Sequence, residues 1–488
     1  LYTKESQMAD VEKKFLANGD KISSENESGT RDWRSSSKRQ IFASFVANLT
    51  VLASGMGLGY PATTLSLLTD PASIVALTDD QGSWVASINT IFSPIGGLIA
   101  SYTLDKFGRK KTLIAINILS IISWAIVAFS SRTDVNMMYM EIIGARIIIG
   151  VVAGLSSSPS SVYSAEIAKP RLRGRLTVFT SISIATGALI IYTLGYFINN
   201  DFRMVSGIAG MISVVALFAL YFVPESPRWL VMKNRDSQAE KSLKRLNGKE
   251  INCKEELQQL TQQIHGNHAT GGRSLSRWEM LQRPEFYKPL VIMMCFFTFQ
   301  QFSGTFVLVV YAVKFCVSAG VTLDPFLFTV LLGITRVMGT IMIGFLLDTL
   351  GRRLPAMIGG FCMGISLFGV VLCMWNPGPV ATWIAAFLII FFVFTSTISF
   401  LVIPFAMIAE IYPQRMRGFA SGITVSFAYI LCFVVIKMYP TLVSLIGSDY
   451  VCLVYGTVAF MGVIFVYNFL PETNKKTLQE IEDLFTKK

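Results

Sequence analysis

The sequence predicts an all-α membrane protein: twelve transmembrane helices in two pseudo-symmetric six-helix halves, with cytoplasmic linker helices between the halves. Three observations predict it. Hydrophobic residues fill 52% of the 488 positions and charged residues only 15%, against about a quarter charged in a soluble domain. Twelve apolar runs of about 20 residues, the length that crosses a bilayer, follow one another. The net charge of +11, from 42 Lys and Arg against 31 Asp and Glu, collects in loops on one side of those runs. This composition excludes a disordered chain, which is poor in apolar residues. It also argues against a soluble nucleic-acid binder, whose basic residues would have to share a surface with too much apolar area.

Residues 1–40 are expected to form a polar tail rich in Ser, Glu, Lys and Asn, and no signal peptide is visible in them. The first half, 41–223, carries spans near 41–60, 82–104, 112–131, 138–161, 176–198 and 203–223. The polar segment 224–287 reads as a linker, in which 239–246 and 254–264 have the pattern of short amphipathic helices at the membrane face. The second half, 288–470, carries spans near 288–313, 326–347, 354–375, 382–409, 418–440 and 447–470, and 471–488 is a short polar tail. Gly is frequent inside the runs, as close packing of membrane helices permits.

The loops set the orientation. Lys106, Arg109, Lys110 and Lys111, then Lys169, Arg171, Arg173 and Arg175, then Arg352 and Arg353, Arg415 and Arg417, and Lys475 and Lys476 all fall on one side. The other side holds Arg132, Arg203 and Lys314, with the acids Asp70, Asp79 and Asp80. The basic side is expected in the cytoplasm together with both termini and the linker, and the membrane is expected to be the plasma membrane. The basic loops also repeat. Asp105-x-x-Gly108-Arg109-Lys110 returns as Asp348-x-x-Gly351-Arg352-Arg353, and Pro224-Glu225-Ser226 returns as Pro471-Glu472-Thr473. Glu166 stands seven residues before Arg173, as Glu410 does before Arg417. Three motif pairs in one order, each offset by about half the chain, mark duplication of a six-helix unit. Such halves make a transporter with its site near the midplane between them.

Other chemistries lack residues to carry them. The seven Cys contain no C-x-x-C, and the only His, His265 and His268, sit in the polar linker. No metal, cofactor or enzyme activity is therefore expected. Ser156, Ser157, Ser158, Ser160 and Ser161 have no His or Asp close in sequence and read as small residues for helix packing. The glycosylation patterns at Asn26 and Asn48 fall in the tail and inside the first span, where neither is expected to be used.

Several stretches resemble the sugar-porter family of the major facilitator superfamily, and within it the insect facilitated trehalose transporter branch. They are Leu104-Asp-Lys-Phe-Gly-Arg-Lys-Lys111, the run from Tyr163 to Gly174, Pro224-Glu-Ser-Pro-Arg-Trp-Leu230, Gln300-Gln-Phe-Ser-Gly304, Asp348-Thr-Leu-Gly-Arg-Arg353 and Pro471 to Leu478. The resemblance spans about 41 to 481. It implies a monomeric carrier of a small sugar, embedded in the lipid bilayer, without nucleic acid. The charges of the repeated motifs are expected to form a gating network: Asp105, Arg109, Glu166, Arg173, Glu225 and Arg228 in the first half, and Asp348, Arg352, Glu410, Arg417 and Glu472 in the second. Ion pairs across the two halves would hold the cytoplasmic side closed, and breaking them would open it.

A sugar site needs amide and hydroxyl partners and aromatic faces in an apolar cavity. Gln300 and Gln301, adjacent in the seventh run, match family ligands of sugar hydroxyls; interhelical hydrogen bonding is the other reading. Tyr311, about three turns on, can share a face with Gln300 and matches an outer-gate tyrosine. Phe405 and Tyr429 stand where the family places aromatics that close over the sugar, and core packing accounts for them equally well. Four departures alter the pattern: Thr305-Phe306 in place of Ile-Asn, Ser181 in place of Gln, Ala428 in place of Asn, and Arg336 in place of Asn. A mid-span Arg is costly unless paired or hydrated. Glu141 and Arg146 are expected to satisfy one another, which leaves Arg336 as a candidate substrate contact. The changes speak against glucose and suggest an altered specificity, for trehalose, another sugar, a polyol or a different small polar solute; an anionic substrate would suit Arg336.

Proton-coupled members carry an Asp after Gly-Tyr in the first span. Here Gly59-Tyr60 is followed by Pro61, and no Asp, Glu or His occupies spans one, two or five, so facilitated diffusion is expected over proton symport. A low-flux nutrient sensor is the other class; its known kinds have long cytoplasmic tails, and the C-terminal tail here is short. A channel is disfavoured because the repeat implies alternating access.

Overall fold

The computed structural model describes residues 37–70, 76–198, 201–247, 253–266, 284–413, 417–474, 476, 480–481 and 484–485. Regular structure among them is helical throughout. The first six spans are α1 (Ser37–Leu68), α2 (Asp79–Phe107), α3 (Arg109–Ala128), α4 (Val135–Ile167), α5 (Pro170–Phe197) and α6 (Phe202–Ala219). The linker contains α7 (Pro227–Met232), α8 (Asp236–Asn247) and α9 (Cys253–Gly266). The second set is α10 (Pro284–Phe302), α11 (Thr305–Val310), α12 (Ala312–Ser318), α13 (Pro325–Leu350), α14 (Arg353–Trp375), α15 (Pro379–Ser396), α16 (Ile403–Ile411), α17 (Arg417–Ile446) and α18 (Ser448–Phe469).

Among the described residues, 11 helices are long and apolar enough to cross a membrane. The seventh crossing is the exception because it is divided among α10, α11 and α12. Gly304 takes a left-handed φ of 79° between the first two, and Tyr455 packs so close that a Cβ there would lie 2.5 Å from its Cδ2. The tenth crossing is likewise divided, by a π turn at Thr397–Leu401 followed by Pro404.

The acids of the non-basic face start helices. Asp134 accepts from the Asn136 N–H at 2.9 Å, Asp201 from the Arg203 N–H at 2.9 Å, and Asp324 from the Leu327 N–H at 2.8 Å. Thr78 and Gln81 form a reciprocal capping box on α2. Each satisfies N–H groups that a helix start leaves open. Spans two and four approach backbone to backbone: a Cβ on Gly96, Gly150 or Gly154 would collide with the main chain of the opposing helix. Serines share this close packing. Ser156 meets Ser54 at 2.5 Å, and Ser160 donates to the Ala47 carbonyl at 3.0 Å. The Asn48 amide is buried and binds Ser44 and Ser164, so it joins spans one and four.

Two apolar cores result, one per half. The second reaches into the first half through Ala62, Leu65, Ala86, Ala188 and Tyr192, all toward the non-basic ends of their spans. Large apolar side chains such as Leu98, Phe129 and Phe345 are exposed on the outside, as a lipid-facing surface requires. In the linker, Trp229, Leu230, Val231 and Ala239 pack against Leu257, Leu260 and Ile264.

Two prolines explain polar residues whose roles were open in the sequence. Proline has no N–H, so the carbonyl four residues earlier loses its helical partner. Pro61 frees the Gly57 carbonyl, which accepts from Arg146 Nη1 at 2.5 Å; Arg146 Nε also donates to the Val85 carbonyl at 2.8 Å. Arg146 is thus satisfied by main chain and not by Glu141, whose Oε2 instead accepts from the Ser131 N–H at 2.7 Å. The expected Glu141–Arg146 pair is therefore corrected. In the same way, Pro404 frees the Phe400 carbonyl, which accepts from Gln300 Nε2 at 2.6 Å.

Candidate functional site

At the basic face the repeated motifs fold into the same network twice. In the first half, Arg109 grips Glu166 through Nε at 2.8 Å and Nη2 at 2.6 Å, the two-pronged geometry that strengthens a charged pair. The Ser226 hydroxyl donates to the same carboxylate at 2.6 Å. In the second half, Arg352 Nη2 meets Glu410 at 2.7 Å and the Thr473 hydroxyl donates to it at 2.6 Å. The Pro-Glu motifs supply the other part. Glu225 accepts from the Arg109 and Lys110 N–H groups at 3.0 and 3.1 Å. Glu472 accepts from the Arg352 and Arg353 N–H groups at 3.0 Å. Each carboxylate sits on the start of the third or ninth span, where open N–H groups and the helix dipole favour it.

This explains the glycine of the repeated motif. Gly108 and Gly351 take φ of 95° and 78°, and a Cβ would lie 2.6 Å from Glu225 Oε2 and 2.7 Å from the Glu472 carboxyl. Burial opposes ionisation of Glu472, but the N–H groups of Arg353, Asn474, Arg352 and Thr473 together hold its carboxyl below the usual value. A depressed acid adds stability above its unfolded pKa and loses it as pH falls through the folded value. Glu472→Gln is therefore expected to cost about 1 kcal/mol at neutral pH. Thermal unfolding of the two proteins should converge below the folded pKa, and a gap that persists in acid would refute the charge as its cause.

Both ion pairs are internal to one half in this conformation. Asp105 lies at the surface and enters the network through its carbonyl, which accepts from Trp229 Nε1 at 3.2 Å. Arg228 is exposed. Arg417 donates to the Tyr412 carbonyl at 3.4 Å, and its Nε is buried without a partner. The side chains of Arg173 and Asp348 lie outside the described residues.

The halves are joined at the opposite end. Lys437 of α17 pairs with Asp80 of α2 at 2.6 Å, donates to the Ser83 hydroxyl at 2.6 Å, and lies 4.5 Å from the Trp84 ring centre. Phe433 packs on Trp84 at 5.8 Å, and Lys314 reaches Asp79 at 3.4 Å. The Tyr192 hydroxyl of α5 donates to the Val309 carbonyl of α11 at 2.7 Å. Sequence reading missed Lys437. Its signal was a lone base near the end of an apolar run, opposite a pair of acids with no loop partner.

The midplane residues separate into satisfied and unsatisfied. Gln301 Nε2 donates to Gln300 Oε1 at 3.2 Å, which leaves the buried Gln301 Oε1 without a partner. Arg336 is 5% exposed, and its Nε and Nη1 are buried without partners. No carboxylate among the described residues forms an ion pair with it. One turn away, Gly333 lies against Tyr192 and Leu189 of α5, which places this stretch of α13 at the junction of the halves. Such orphaned donors and acceptors are costly when they stay empty, and polar ligand groups can fill them.

The other sequence candidates are distributed more widely. Tyr311 donates to the Ile436 carbonyl at 3.1 Å and packs on Tyr439 at 4.8 Å, so it ties the seventh crossing to the eleventh. The breaks at Gly304 and Tyr311 remove the straight-helix spacing expected between Gln300 and Tyr311. Phe405 is 38% exposed and meets Phe297 edge-on at 5.0 Å. Phe306 packs against the second core, and Ser181 and Tyr429 are half-buried.

A family profile described as sugar (and other) transporter matches residues 36–485. The chain is 29% identical over 451 residues to the facilitated trehalose transporter Tret1 of Culex quinquefasciatus, covering 91% of this chain and 85% of that protein. It is 30% identical over 452 residues to trehalose transporter 1 of Drosophila melanogaster, covering 91% of this chain and 51% of that protein, and so spans about half that relative's length. Among solved structures, the inward open xylose transporter XylE from E. coli matches with a TM-score of 0.76 and 26% identity, over 91% of this chain and 99% of that one. The proton:xylose symporter XylE bound to 6-bromo-6-deoxy-D-glucose matches with a TM-score of 0.73 and 26% identity, over 92% and 100%. The chain therefore belongs to the sugar (and other) transporter family, as an all-α membrane transporter of the major facilitator fold.

Proposed function

We propose that this sugar transporter moves a small carbohydrate, trehalose or a hexose, by alternating access and facilitated diffusion, working as a monomer. The basic face lies in the cytoplasm and the membrane is the plasma membrane. The observation that carries the reading is that three of the buried, unpartnered groups within the spans lie on the seventh and eighth crossings: Gln301 Oε1 as acceptor, and Arg336 Nε and Nη1 as donors. A polyhydroxylated solute can pair with all three. We count Phe405, Tyr429 and Phe306 as candidate apolar faces, and Ser181 as a candidate hydroxyl, for the same solute. With the non-basic end held shut by Lys437, Asp80 and Trp84, the conformation is the inward-facing one. The motif networks keep each half rigid while the halves rock.

The same geometry supports passive transport as our reading. A proton relay needs a titratable group at depth. Arg146, in the first half, bonds to main-chain carbonyls, and Glu141 caps a loop N–H. The test is uptake by the full chain in proteoliposomes, with radiolabelled trehalose, glucose, fructose, inositol and organic acids. Saturable downhill uptake of a sugar, accelerated by sugar on the far side, is expected. Accumulation against a gradient driven by pH would make the protein a proton symporter instead. Binding without flux would make it a sensor.

A further inference from the structure

A cavity of about 390 Å³ opens where the first span, the end of the sixth and the linker helix α8 meet. Lys38 and Arg39 from the first turn of α1 and Arg245 from α8 line it, together with Phe42, Tyr221 and Phe222. Lys110 stands at its edge: Nζ donates to the Tyr221 carbonyl at 3.2 Å and lies 5.9 Å from the Tyr221 ring centre. The nearby acid, Glu225, is turned away to the start of α3, where it accepts main-chain N–H groups. Among the described residues, no ion pair engages Lys38, Arg39 or Arg245.

The aromatic wall faces outward. Phe42 is 54% exposed, Tyr221 79% and Phe222 71%, on the surface that the spans present to lipid. The cavity therefore has a cationic floor at the headgroup level and an apolar side open to acyl chains. Guanidinium forks match phosphate oxygens, and basic pockets between spans on the basic side are suited to anionic headgroups. A free anion would use the cations but leave the aromatic wall uncovered, so a lipid uses more of the site.

We propose that this cavity binds the phosphorylated inositol headgroup of a phosphoinositide, with its acyl chains along Phe42 and Phe222. The inference rests on the membrane placement of spans one and six and is independent of which sugar is carried. The test takes the full chain in phosphatidylcholine nanodiscs containing phosphatidylinositol 4-phosphate or phosphatidylserine, with retained lipid counted by native mass spectrometry. The phosphoinositide is expected to be retained at least about tenfold over phosphatidylcholine. Lys38→Ala/Arg39→Ala/Arg245→Ala should abolish that preference, and the single variant Arg245→Glu, on an exposed linker position, should weaken it.

Lys233→Ala/Lys241→Ala/Lys254→Ala removes equal charge from exposed linker positions and should leave retention unchanged. Equal loss in both triple variants would reduce the effect to general surface charge and overturn the site. Equal retention of phosphatidylserine would do the same. Full displacement by soluble inositol phosphate would reassign the cavity to a free anion. Retention that survives both the triple variant and Arg245→Glu would place the lipid elsewhere.

Discussion

Arg336→Met is expected to make the protein more stable and the transporter worse. The two effects share one cause. A buried cation without a counter-charge loses its hydration and gains nothing in return, so replacing it with an apolar chain of similar length should add about 1–3 kcal/mol to the folded state. Its unpartnered Nε and Nη1 are also the donors with most to gain from a sugar hydroxyl. A hydrogen bond to a charged group contributes about 1.5–3 kcal/mol, and each 1.4 kcal/mol is about tenfold in affinity. Apparent affinity for the transported sugar should thus fall about 10- to 100-fold. Thermal unfolding in detergent and initial uptake rates at matched abundance measure the two sides. Arg336→Lys keeps the charge without the fork, so it should lose affinity without the gain in stability. If Arg336→Met unfolds at a higher temperature yet transports with unchanged affinity, the arginine does not contact the substrate.

Lys437→Glu is expected to open the non-basic end. The Lys437–Asp80 pair is partly exposed, at 22% and 77% for the two side chains, so it belongs with pairs worth about 0.2–1 kcal/mol. Its position over Trp84 adds about 0.5–1 kcal/mol. A loss of about 1–2 kcal/mol shifts a two-state population about 5- to 30-fold, and the new repulsion from Asp80 adds to it. Spin labels at the exposed positions Met137 and Leu445 report the separation of the halves at that end. Longer distances should appear in Lys437→Glu and recede when Asp80→Lys is added. An unchanged distance distribution would show that apolar contacts alone keep this end shut.

The fold was legible because two strong signals coincide: apolar runs of bilayer length, and basic loops that recur after half the chain. The repeated charges were legible as a network, but not its partners. Glu225 and Glu472 bind helix starts, and sequence spacing does not say that a Pro-Glu motif will fold back onto a span more than a hundred residues earlier. The assignments at Arg146 and Gln300 depended on Pro61 and Pro404 freeing carbonyls across an interface, a relation between helices with no trace in either helix alone. The broken seventh crossing was missed because its apolar pattern is continuous; the break comes from one glycine pressed against Tyr455. Arg336 was legible from composition alone, since a mid-span base stands out wherever it points.

The first network uses only residues that come early in the chain. Arg109, Glu166, Glu225 and Ser226 all precede α7, and none of the bonds they form with one another needs the second half. During synthesis the first six helices can therefore lock their basic ends before the seventh has been made. Vectorial folding of the two halves, one after the other, is built into where the duplicated motifs fall along the chain.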